Sequence, residues 1–241
     1  MFEQHRQALR ARGYAGHTLR QRKMLYSWLL GFESNCGKLL DPTTYNLATH
    51  DRVLGYLRFD RKLAPNTIAS FVRGLKVFLK WCRDELGLPV AVELRKLQSK
   101  HQNVVKMWLT AAYLDALSTA ILPAHLVRVR DVLLFCCYTG LRYSDVFALQ
   151  PGHMHEWNGS RVLRVLANQV MNCYLKKVGQ YAGLTCDVVV TELIAGEVVK
   201  KSVPKYELLT SHTARHTFAT QSLLRGMPVE VLQKILGHKK I

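Results

Sequence analysis

Acidic residues are the scarce class in this chain. Asp and Glu number 17 in 241 residues, against 34 Lys and Arg, which leaves a formal net charge of +17 and a pI near 9.8. A surplus of that size points to a polyanionic partner, most simply nucleic acid; the plain alternative is a basic protein of unrelated role. The deficit is shared along the chain. Residues 1–102 hold 18 basic and 8 acidic side chains, and residues 103–241 hold 16 and 9. Both halves can therefore meet one polyanion.

Other absences narrow the class. No run of 18 or more apolar residues occurs, so no membrane span and no membrane partner are expected. The opening "MFEQHRQALRARGYAGH" has no apolar core of the kind a secretory signal needs. None of the six cysteines forms a C-x-x-C pair. Cys136 and Cys137 lie inside the apolar run "VLLFCCY" and read as small buried hydrophobes, which fits a reduced, cytoplasmic setting. No internal repeat is visible. What remains is 49% hydrophobic and 21% charged, an ordinary folded composition, at a length that suits one large domain or two ordinary ones.

The first hundred residues read as helical. Thr18 is a candidate cap for the helix in "TLRQRKMLYSWLLGFES". The clearest element is "APNTIASFVRGLKVFLKWCRDELGL", which Pro65 can open, since its missing N–H costs nothing in a first turn. Ile68, Val72, Leu75, Leu79, Cys82 and Leu86 recur at steps of three and four and make one apolar face. Arg73, Lys76, Lys80 and Arg83 recur in the same way on another face, uninterrupted by acid until Asp84 and Glu85. That stripe is either a solvated surface or a DNA-binding face that tracks phosphates; its purity favours the second. The predicted organisation is a helical DNA-binding domain over 1–86, a linker over 87–103 and a second domain over 104–241. In the latter, helices are predicted in "LTAAYLDALSTAIL", "PAHLVRVRDVLLFCCYTG", "ANQVMNCYLKKVGQYAGL", "SHTARHTFATQSLLRG" and "PVEVLQKILG", with hairpins at Asn158-Gly159 and Ala195-Gly196. The fold class is mainly α, with a few short β-strands in the second domain.

Three segments carry chemistry-bearing side chains. In "SHTARHTF", His212, Arg215 and His216 stand at i, i+3 and i+4, on one side of a helix. The histidine spacing is that of a zinc-protease helix, but Thr213 occupies the place of the needed Glu, and Arg215 sets a permanent cation beside any metal. A packed structural histidine is the competing bland reading. In "TGLRYSD", Arg142 directly follows a helix-ending Gly140, and Asp145 can cap the next helix or orient Arg142 by an ion pair. In "ILGHKK", His238 follows Gly237 at a helix end. Two arginines and two histidines make the inventory of a metal-free phosphoryl-transfer site, because arginine forks neutralise charge on a pentacoordinate phosphate.

"TGLRYSD", "HTARHTF" and "LGH", in this order and at these separations, resemble the signature boxes of the tyrosine recombinases, the phage integrase family. The resemblance implies a helical core-binding bundle followed by a mixed, mostly helical catalytic domain, together clamping double-stranded DNA. It implies a site-specific recombinase or integrase that breaks and rejoins strands through a 3′-phosphotyrosyl intermediate, without ATP, metal or other cofactor. It also implies a homo-tetramer on DNA in a prokaryotic cytoplasm. By position, Arg142 and Arg215 would hold the non-bridging oxygens, His212 would accept a proton and bind the phosphate, and His238 would add a hydrogen bond. Asp145 and His216 would be supports. Two departures accompany the match. The family's nucleophilic tyrosine follows the L-G-H box, whereas none of the ten tyrosines here does, so the expected position lies after Ile241. The family's lysine-bearing hairpin is also missing where "SRVLRVL" runs into "ANQVMN", which leaves a gap near 165–167, around Leu166. A non-catalytic DNA-binding relative with the same clamp is the alternative.

Overall fold

The computed structural model describes residues 1–99, 102, 106–149 and 165–237. The Asn158-Gly159 hairpin and His238 lie outside the described residues. The chain forms two compact units. One comprises residues 1–103 with 191–200; the other comprises 104–190 with 201–241. Among the described residues there are ten α-helices and one two-stranded sheet.

The first unit contains α1 (Phe2–Ala11), α2 (Gly16–Cys36), α3 (Leu47–Gly55), a π turn over Tyr56–Asp60 and α4 (Pro65–Leu86). Helix α2 starts three residues earlier than a Thr18 cap predicts: Ala15 takes the capping position. Helix α4 starts at Pro65, as its sequence predicts, and stops at Gly87, which takes the left-handed conformation. Its apolar face buries Ile68, Val72, Leu75, Leu79 and Cys82, and Phe71, Phe78 and Trp81 widen it. Leu86, predicted as part of that face, is 39% exposed, because it is the last residue of the helix, beyond the packed turns. Each large side chain buried here contributes about 1.5–3 kcal/mol relative to exposure. Residues 87–99, predicted as a linker, instead pack against this core: Val92 and Leu97 are buried in it, and Leu88, Val90 and Leu94 lie against it. Those apolar positions lack helical period, so the sequence pattern did not reveal their burial.

The second unit contains α5 (Ala111–Thr119), α6 (Ala124–Thr139), α7 (Tyr143–Phe147), α8 (Asn168–Tyr181), α9 (Ser211–Leu224) and α10 (Val229–Ile235). Thr110 caps α5 by accepting the Tyr113 N–H. Strands β1 (Asp187–Ile194) and β2 (Glu197–Pro204) pair across Ala195 and Gly196, both at positive φ, the backbone a two-residue hairpin needs. Helix α6 packs against both α8 and α9 over a core that includes Leu126, Val129, Leu133, Cys137, Leu175 and Ala214.

Candidate functional site

The site in the second unit is built where α6 ends. Its last turns bury Val132, Leu133, Cys136 and Cys137, and the helix stops at Gly140 with φ +68°. A Cβ at Gly140 would lie 2.5 Å from Cδ1 of Phe218 on α9. Glycine is thus required twice, for the left-handed turn and for the close approach. The approach brings the Gly140 carbonyl within 2.8 Å of Arg215 Nη1, which donates to it.

Arg142, two residues on, is exposed at the start of α7. Of the two roles open to Asp145, the structure shows the cap: its carboxylate accepts the Arg142 main-chain N–H at 3.3 Å and the Ser144 hydroxyl at 3.2 Å. No ion pair joins Asp145 to the Arg142 guanidinium, which forms none among the described residues.

Helix α9 is held in register by polar contacts on its buried side. The Thr217 hydroxyl accepts the Leu109 N–H at 2.9 Å and donates to the Thr213 carbonyl at 2.8 Å; Gln221 Nε2 donates to the Leu109 carbonyl at 3.1 Å. At its N-terminus the Ser211 N–H donates to Asn172 Oδ1 of α8 at 2.9 Å. This register places Arg215 half-buried against the end of α6, with His212 exposed one turn earlier and His216 half-buried. The second Arg215 nitrogen, Nη2, donates to the carbonyl of Leu236, the residue that closes α10. One guanidinium therefore ties together the ends of α6 and α10, which carry the "TGLR" and "LGH" segments.

The electrostatics follow from this packing. Burial pushes the Arg215 guanidinium below its ordinary range; the Arg142 charge adds to that, and Asp145 opposes it. Burial also pushes His216 below the ordinary imidazole range, helped by the charges of Lys106, His212 and Arg215. His216 is therefore neutral at pH 7. Among the described residues no group of three or more His, Cys, Asp or Glu gathers as a metal-binding cluster. Lys176 is paired with Glu207 at 2.9 Å, and Lys177 lies 5.8 Å from the Tyr174 ring centroid.

In the first unit, Arg73, Lys80 and Arg83 project from α4 into solvent and Lys76 is half-buried. Arg83 is paired with Asp84 at 2.8 Å, and Arg73 Nη2 donates to Ser70 Oγ at 3.0 Å. Sequence reasoning missed several contributors: the Leu236 carbonyl, the Thr217–Leu109 clasp and Phe218 over Gly140. None leaves a spacing signal, because each joins segments distant in the chain. It also missed Arg22 on α2, whose Nε is buried with no hydrogen-bond partner among the described residues.

Comparison with known proteins fits this architecture. Residues 164–241 match the model of the Phage integrase family. Tyrosine recombinase XerD of Chlamydia pneumoniae is 28% identical over 214 residues, 76% of this chain and 70% of that protein. Tyrosine recombinase XerA of Saccharolobus solfataricus is 64% identical over 33 residues, 14% of this chain and 11% of that protein. Among solved structures, the Tn1549 transposon integrase (residues 82–397) in complex with circular intermediate DNA superposes with a TM-score of 0.63 at 16% identity, covering 98% of this chain and 90% of that one. XerH recombinase bound to its difH substrate gives a TM-score of 0.52 at 13% identity, covering 92% and 72%. The fold is the mostly helical one of the recombinase catalytic domains, with a small sheet. The chain is thus similar to tyrosine recombinases over most of its length, and its last third matches the Phage integrase family model.

Proposed function

We propose that this protein is a site-specific DNA recombinase, in which Arg142 and Arg215 bind the non-bridging oxygens of a backbone phosphate. The observation that carries the reading is the arginine pair itself. Arg215 is half-buried and close enough for the Arg142 charge to depress its proton affinity, and neither guanidinium pairs with a carboxylate among the described residues. Two like charges held near each other repel until an anion joins them. A phosphate diester with charge building on its oxygens is such an anion, and planar forks suit it. His212, exposed one helical turn from Arg215, accepts a proton from the attacking hydroxyl; His238, two residues past Leu236, adds a hydrogen bond to the phosphate. Asp145 shapes the Arg142 turn and neutral His216 supports Arg215. The chemistry is phosphoryl transfer to a tyrosine and back, with no metal or ATP.

The 241 residues by themselves bind duplex DNA without cleaving it, because no tyrosine follows the L-G-H segment to act as nucleophile. The hydroxyl of Tyr143, the tyrosine next to Arg142, is engaged with the Leu166 carbonyl. The α4 stripe supplies phosphate contacts in the first unit, and four copies assemble on two duplexes. Duplex binding measured from 50 to 300 mM salt tests the reading. The logarithm of affinity should fall with a slope of about −0.9 per phosphate contacted, and Arg73→Gln with Lys80→Gln should flatten it by about two. Binding indifferent to salt would overturn it.

A further inference from the structure

The first unit has a second concentration of charge that the α4 stripe does not include. Helices α1 and α2 enclose an open groove of about 300 Å³ whose lining includes Arg6, Gln7, Arg10, Arg20 and Lys23. One acid, Glu3, also reaches it, and it is taken by Arg6 at 2.7 Å. Arg10, Arg20 and Lys23 are exposed and form no ion pair among the described residues. Arg6 and Arg10 stand about one helical turn apart on α1, and Arg20 and Lys23 about one turn apart on α2, so the rows step by about 6 Å and about 4.5 Å along their axes. The groove is separate from the α2–α4 face, to which α2 turns Gln21, Met24 and Trp28.

We infer that the α1–α2 groove is a second binding site for the sugar-phosphate backbone of duplex DNA, independent of the α4 stripe. The inference rests on the DNA-binding reading above. Three uncompensated cations converging on one concavity repel one another, and a polyanion removes that cost. A nucleic-acid strand presents a charge every few ångströms along its length, so a row on each wall can meet successive phosphates; a compact anion would meet only one pair. The side chains that line it are polar apart from Leu19 and chiefly cationic, so the hydrogen-bonding groups they offer suit backbone phosphates, a contact of backbone and not of sequence.

The test compares the 241-residue chain with two variants on duplexes of unrelated sequence, across a salt series. Arg10→Gln, Arg20→Gln and Lys23→Gln are combined in one variant; Arg73→Gln and Lys80→Gln are combined in the other. All five residues are exposed, and thermal melting confirms that each variant folds. The groove variant should lose at least about tenfold in affinity at low salt on every duplex and flatten the salt slope by about two to three, additively with the α4 variant. A groove variant with wild-type slope and affinity, beside an α4 variant that is weakened, overturns the groove and leaves the DNA-binding reading standing. Salt-independent binding by the wild type and both variants overturns that reading itself. An acidic polypeptide bound by the wild type and lost in the groove variant, with the DNA slope unchanged, reassigns the groove to a protein partner and equally overturns the inference.

Discussion

Arg215 shows how much one side chain can join. Its fork donates to Gly140 and Leu236, so it fixes two chain turns and presents its charge beside Arg142. Lysine, a point donor on a flexible stem, cannot span both carbonyls. At the same scale, His5 is 1% exposed, hydrogen-bonded to the Tyr26 hydroxyl and packed on Phe78 and Trp81. Burial first, then the charges of Arg22 and Arg12, lower its pKa to about 4. An unfolded chain takes up that proton near pH 6.5, so between about 6.5 and 4 the unfolded state binds more protons and stability falls as pH falls. His50, also pushed down by burial, acts in the same direction. Urea unfolding between pH 7 and 4.5 should show His5→Asn losing up to about 1.4 kcal/mol per pH unit less steeply than wild type. Parallel slopes would rule out a buried neutral His5.

Among elements, the joint between α6 and α9 is the most demanding. Gly140→Ala must place a Cβ where the Phe218 ring lies and hold alanine at φ +68°. The combined cost is roughly 2–4 kcal/mol, read as a fall in the denaturation midpoint, and Phe218→Leu should recover part of it. A neutral Gly140→Ala would contradict the packing. The same elements show what the sequence discloses. Helix α4 was legible nearly end to end, because Pro65, a four-three apolar step and Gly87 are all local signals. The segment 87–99 was not, because Val92 and Leu97 owe their burial to distant helices. The site divides in the same way. Its arginines and histidines stand in short motifs, whereas the carbonyls, the Thr217 clasp and the α1–α2 cation cluster exist only once remote turns meet.

For the molecule as a whole, the charge of +17 is spread over both units, and the account assigns it to phosphates. Its central claim is that these residues carry a phosphate-binding recombinase site yet hold no nucleophile. The most direct measurement recovers duplexes bound by the 241-residue chain from a random pool, nicks them so that a cleaved strand cannot rejoin, and incubates them with the chain in chelator. The account predicts retained DNA that high salt releases, with no species surviving denaturation. A covalent protein–DNA adduct that resists boiling in detergent would contradict it.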